Sequence, residues 1–148
     1  MKKTIALIMI AFCSAQAIAQ KLNEKDVPKT VVDAFAKKYP GSKVQKWEKE
    51  GANYEAEFDL SKVESSAVFD ASGTFIELEQ EIKIAELPKV AVEYCAKTFP
   101  EYKLEEAAKI VDAKGTITFE AEMRKGKEHF DVIFDDKGNF IKKGPVTK

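Results

Sequence analysis

Two cysteines and one histidine are all that this 148-residue chain offers of the most reactive side chains. His129 by itself completes neither a Ser-His-Asp triad nor a histidine metal set, and as a general base it would need a nucleophile that the sequence does not place. Cys13 falls in the first twenty residues and departs with them if they are cleaved, which leaves Cys95 alone and excludes an intramolecular disulfide. Glycine-rich phosphate loops, metal-ligand spacings, a nucleophile elbow and cofactor-attachment motifs are absent, so an enzyme is the least favoured class and no cofactor is expected. Beyond residue 20 no run approaches the eighteen apolar positions of a membrane span. The 25 acidic and 24 basic residues are interleaved, without the basic stripe that nucleic-acid binding requires.

What is present begins with an export pattern. Lys2 and Lys3 form a basic start, residues 5–12 an apolar run too short to span a bilayer, and Ala17-Ile18-Ala19 a small-residue cleavage site ahead of Gln20. The pattern predicts a signal peptide over residues 1–19 and a periplasmic or secreted protein over 20–148. A lipoprotein signal needs a small residue before its cysteine, and Phe12 precedes Cys13. Removing Lys2 and Lys3 leaves 22 basic against 25 acidic side chains, a net charge of −3.

The rest of the chain says nearly the same thing twice. Val27-Pro28-Lys29 answers to Leu87-Pro88-Lys89, and Tyr39-Pro40 to Phe99-Pro100. Further on, Glu55-Ala56-Glu57 answers to Glu120-Ala121-Glu122, and Phe69-Asp70 with Gly73 and Phe75-Ile76 to Phe134-Asp135 with Gly138 and Phe140-Ile141. A tandem repeat predicts two similar halves, about 24–83 and 84–143. Each is too small to hold a core comfortably alone, so they are expected to fold together as one domain.

Each half opens with a helical pattern, over 26–39 and 86–99. Val27, Val31, Phe35 and Tyr39 make one apolar stripe; Leu87, Ala91, Cys95 and Phe99 make the other. The proline after Tyr39 and after Phe99 ends each helix. Short strands with hairpin signals follow: 43–50, 53–60, 64–70 and 74–82 in the first half, 104–112, 116–124, 127–135 and 138–143 in the second. Alternation puts Tyr54, Ala56 and Phe58, and likewise Phe119, Ala121 and Met123, under the helices, with Glu55, Glu57, Glu120 and Glu122 on the opposite face. The predicted fold is α+β: an antiparallel sheet of about eight strands with two helices on one face.

Helix–Tyr39-Pro40-Gly41, then Trp47 followed by Asn53-Tyr54-Glu55-Ala56-Glu57-Phe58, then Phe69-Asp70 with Gly73 and Phe75, all given twice, resembles the PepSY-like secreted proteins, which are similar to the β-lactamase-inhibitor-protein fold. The resemblance covers about residues 24–143. It implies two helix-plus-four-strand units with an open, concave sheet face; in the inhibitor relative, that face grips an enzyme. The fold carries over and the inhibitory residues do not, because no motif for them stands here. Trp47 aligns with Ala107, so the second copy lacks the tryptophan.

Three features compete as sites. Simple alternation sends Trp47, Phe75 and Phe140 off the helix-covered face, together with Val68 and Ile133; aromatics rimmed by charge on an open sheet suit recognition of a protein or peptide. The repeated Glu55, Glu57, Glu120 and Glu122 are the nearest thing to a chemical site, and as paired carboxylates they suit a small ligand or a hard cation. Cys95 falls on the buried helix stripe, as an apolar filler. The reading is a non-enzymatic binding module, inhibitor- or sensor-like, that engages a protein or peptide through the open face with Trp47, Phe75, Phe140 and the four glutamates. The alternative is a small-ligand or cation binder on the glutamate-rich face.

Overall fold

Pro28 and Pro88 each open a ten-residue helix, α1 over Lys29–Lys38 and α2 over Lys89–Thr98. Proline suits that place because its fixed φ is already helical and its missing N–H has no partner to lose. Each helix is preceded by a short 3-10 turn, Glu24–Asp26 and Ile84–Glu86, so the helices start about three residues later than periodicity alone suggests. The computed structural model describes residues 20–148; the expected signal peptide, with Cys13, lies outside the described residues.

The strands are β1 (Gln20–Leu22), β2 (Val44–Glu50), β3 (Asn53–Leu60), β4 (Val63–Asp70), β5 (Phe75–Glu81), β6 (Lys103–Asp112), β7 (Ile117–Lys125), β8 (Glu128–Asp135) and β9 (Phe140–Lys143). They form one antiparallel sheet in sequential order, nine strands where eight are expected from the pattern. The ninth is β1, which pairs Leu22 with Trp47 and Gln20 with Lys49. The two repeats join edge to edge: β5 pairs with β6, Glu81 opposite Ala108 and Gln80 opposite Lys109.

Both helices cover the same face. Under α1, Val31, Phe35 and Tyr39 meet Trp47, Ala56, Phe58, Ala67 and Phe69. Under α2, Ala91 and Cys95 meet Ala107, Ala121, Met123, Phe130, Val132 and Phe134. The first core is aromatic at its centre, with Phe35 edge-on to Phe58 at 4.9 Å and to Trp47 at 5.9 Å. The second places its rings differently: Phe99 and Tyr102 sit against Phe130 at 5.0 and 4.8 Å. Where the first copy has Phe35, Trp47 and Ser65, the second has Cys95, Ala107 and Phe130, so bulk lost at two positions is restored at a third.

The expected aromatic patch on the open face does not exist. Trp47 is 4% exposed beneath α1. Phe75 packs on Phe69 at 5.8 Å, with the Lys38 ammonium over its ring at 3.8 Å. Phe140, though 43% exposed, stacks on Tyr94 of α2 at 5.0 Å. All three are on the helix side. The cause is a set of β-bulges that recurs with the repeat. Val44 pairs with Phe58 and Lys46 with Glu57, so Gln45 is extra; Leu104 pairs with Met123 and Glu106 with Glu122, so Glu105 is extra. Ile76 and Ile141 are extra in the same way, between Phe75 and Glu77 and between Phe140 and Lys142. One inserted residue reverses the phase of every side chain on one side of it. Val68 and Ile133, beyond the bulges, do lie on the open face, opposite Glu55 and Glu120 respectively.

Candidate functional site

Strand alternation and register determine what the uncovered face carries. Glu55 on β3 lies between Glu48 on β2 and Val68 on β4, and Val68 in turn faces Glu77 on β5. In the next row Glu57 faces Ser66, which faces Glu79, which faces Ile110. In the next, Glu81 faces Ala108, which faces Glu120, which faces Ile133. The last row pairs Glu106 with Glu122 and Glu122 with Asp131. Carboxylates therefore recur across seven adjacent strands, some directly opposite one another and others separated by small or aliphatic residues.

The face is hollowed into a trough of about 300 Å³ over β3 to β7, lined by Glu55, Glu57, Glu79, Glu106, Glu120 and Glu122 among others. The four glutamates expected from the repeat all line it. Glu79, Glu81 and Glu106 were not anticipated as site residues. Glu79 has no glutamate counterpart in the second copy, where Gly144 stands at the corresponding place. The signal that could have found it is the alternation Glu77, Glu79, Glu81 along β5, in phase with Glu55 and Glu57 across the sheet.

Cations sit towards the margins and are already engaged. Lys46 Nζ is 2.9 Å from Glu57 Oε1 and 3.0 Å from Glu48 Oε1. Arg124 bridges Glu122 at 2.7 Å and also meets Glu105. The bonds to Glu57 and Glu48 hold the Lys46 ammonium more firmly protonated than usual. Among the described residues no ion pair reaches Glu55, Glu79 or Glu120.

Desolvation dominates the middle of the trough. Burial, reinforced by neighbouring carboxylates, raises Glu50, Glu55 and Glu77 above the ordinary carboxyl range, with a Ser66 hydrogen bond easing Glu55 and Lys142 easing Glu77. Burial also raises Glu106 and Asp131. Glu79 and Glu120 are raised furthest: burial comes first for both, then the fields of Glu55, Glu77 and Asp131 on Glu79, and those of Glu79, Asp131 and Glu122 on Glu120.

The remaining candidates are placed plainly. His129 lies on the open face, opposite Arg124 on β7. Cys95 is 1% exposed, and burial pushes its thiol up to about 11, the opposite of what a reactive thiol needs. Among the described residues no group of three or more His, Cys, Asp or Glu side chains is arranged to hold a metal ion, and no helix is long and apolar enough to cross a membrane.

Comparison with curated proteins returns no match. Solved structures share the fold. A periplasmic protein from Bacteroides eggerthii superposes with a TM-score of 0.67 at 16% identity, covering 79% of this chain and 87% of its own. A DUF2874 family protein from Bacteroides uniformis gives 0.66 at 17%, covering 78% and 87%. A BLIP-like protein from Bacteroides fragilis gives 0.61 at 22%, covering 80% and 86%. The sequence profile of one family matches twice, over residues 15–77 and 54–142. The chain belongs to the beta-lactamase-inhibitor-like, PepSY-like family.

Proposed function

We propose that this protein is a periplasmic, non-enzymatic binding module whose uncovered sheet face engages a protein or peptide that presents lysine or arginine. The observation that carries the reading is the row of carboxylates Glu55, Glu57, Glu79, Glu120 and Glu122 along one trough, with the nearby cations already paired. A strongly acidic, partly dry groove attracts cationic partners and rejects acidic ones. The BLIP-like name of the Bacteroides fragilis relative supports an inhibitor-like role, exerted through this face on a secreted enzyme. The aromatic residues Trp47, Phe75 and Phe140 have no part in it, because they are packed under or beside the helices.

A titration of the protein with a short arginine-rich peptide, followed by backbone amide NMR shifts, tests the reading. Shifts are expected on β3, β5 and β7, fading as salt is raised, because exposed charge pairs are screened. The charge-reversal pair Glu57→Lys and Glu122→Lys should lose the response. Shifts confined to α1 and α2, or binding that survives charge reversal, would refute it. Capture from periplasmic extract with the same variant alongside then identifies the natural partner.

A further inference from the structure

Glu79 and Glu120 flank one strand from opposite sides. Glu79 on β5 faces Ile110 of β6, and Glu120 on β7 faces Ala108, two residues further along β6 on the same side. Adjacent strands are about 4.8 Å apart, so two long side chains rooted on either side of β6 share the space above it. Ala108 fills little of that space and brings no charge, and both glutamates line the trough that results. Ile110 and Ile133 displace water from their stems.

The surroundings do not neutralise them. Glu55 and Glu57 face them from β3, Glu77 and Glu81 from β5, Glu106 from β6, Glu122 from β7 and Asp131 from β8; β4 contributes Glu64 and Ser66. Glu50 of β2 adds to the field on Glu79. Two cations of the same face are committed elsewhere, Lys46 to Glu57 and Glu48 and Arg124 to Glu122 and Glu105, and Lys142 acts on Glu77. Two like charges brought together in a poorly solvated space cannot both be ionised cheaply.

We propose that the open face is a proton-operated charge switch, in which proton exchange at the Glu79–Glu120 pair that flanks β6 sets the charge of the trough, and ionisation of the pair loosens the sheet. The inference does not depend on any partner. Its sign follows from linkage. A carboxyl whose pKa is higher folded than unfolded binds more protons in the folded state, so stability falls as pH rises between the two values. The unfolded value is 4.5, and the folded pair loses its protons over the range from about 7 to about 9. The loss of stability therefore begins in mild acid and is complete above the upper value. Over the same range the trough gains up to two negative charges, which alters its attraction for cations.

Thermal melts between pH 5.5 and 9.5 test it. The melting temperature of the natural protein should fall by several degrees from the acid to the alkaline end. Glu120→Gln and Glu79→Gln, which keep shape and hydrogen-bonding capacity but cannot ionise, should melt higher than the natural protein at pH 9 and show a clearly flatter profile. A flat profile for the natural protein, or variants with its full slope, would overturn the proposal. The carboxyl carbon shifts of Glu79 and Glu120 in the unmutated protein decide it independently: midpoints well above 4.5 support it, and ordinary ones defeat it.

Discussion

Trp47 shows how much turns on one inserted residue. Simple alternation from Val44 sends it to the open side; the bulge at Gln45 returns it to the core, 4% exposed and against Phe35. Its effect on the protein is therefore one of packing. Trp47→Ala should cost about 3–5 kcal/mol, the usual toll of emptying an aromatic site. Trp47→Phe should cost far less, about 1 kcal/mol, for a second reason besides the smaller void. The indole N–H is buried without a hydrogen-bond partner within the protein, and phenylalanine removes that unsatisfied donor. Urea unfolding of the two variants checks both values; similar losses would show that a phenylalanine ring does not fill the site. The glutamates, by contrast, were legible in the sequence, because β3 and β7 run without interruption through Glu55, Glu57, Glu120 and Glu122. Glu79 was less so, since the alternation along β5 marks Glu77, Glu79 and Glu81 alike and does not single out the one at the meeting point of two repeats.

At the scale of elements, a repeated turn fastens sheet to helix. Asp70 Oδ1 accepts the backbone N–H groups of Ser72 and Thr74 at 2.8 and 2.9 Å, and Asp135 Oδ1 accepts those of Lys137 and Asn139 at 2.9 and 2.8 Å. The Ser72 hydroxyl donating to Asp70 and the Asn139 amide donating to Asp135, together with these backbone bonds, hold both carboxylates below the usual range. Each turn then needs a glycine at φ +85°, and Gly73 lies so close to α1 that a Cβ would come within 2.5 Å of the Thr30 carbonyl oxygen. Gly138 meets Pro88 in the same way, at 2.7 Å. Gly115 has a similar φ of +84° in the turn between β6 and β7, with open space around it. Gly115→Ala isolates the backbone cost, about 1–2 kcal/mol. Gly73→Ala should cost at least about 1 kcal/mol more, because helix or hairpin must also shift. Equal losses in denaturant unfolding would show that the turn is not clamped on α1. The hairpin was readable from Asp70 and Gly73; its seat on the helix was not, because it depends on where α1 crosses the sheet. A gentler case is the turn at Ser61 and Lys62, both at positive φ without being glycine. Asn-Gly there should stabilise the protein by a few tenths to about 1 kcal/mol.

For the whole molecule, fold class, repeat and a single shared sheet were visible in the sequence, and the strands that join the halves were not. Nothing in the alternation of β5 or β6 says that these two strands pair with each other, yet that seam makes one continuous sheet from two cores. The cores are built from different residues, Phe35 and Trp47 in one, Phe130 and Phe99 in the other. Because the seam carries five paired positions, from Glu77–Asp112 to Glu81–Ala108, the halves are expected to unfold in one step. Phe35→Ala should lower that single transition, with the calorimetric and van't Hoff enthalpies remaining equal. A second transition at the original temperature would mean that the second core stands alone.

The seam also has an echo at the far end of the sheet. Gln20 faces Lys49 and Lys21 faces Glu48, as Gln80 faces Lys109 and Glu81 faces Ala108 sixty residues later. The strap β1 thus occupies on β2 the berth that the end of β5 occupies on β6. At the other margin β9 corresponds to β5, but Gly144 and Pro145 follow it and the strand carries Lys142 and Lys143, features that discourage a further strand from adding. The architecture is thus a two-link segment of a chain with no inherent last link, closed by a three-residue plug on one side and a proline on the other. A concatenated gene that replaces Gly144 and Pro145 with strand-forming residues and appends another copy of residues 84–143 has a ready-made joint to copy.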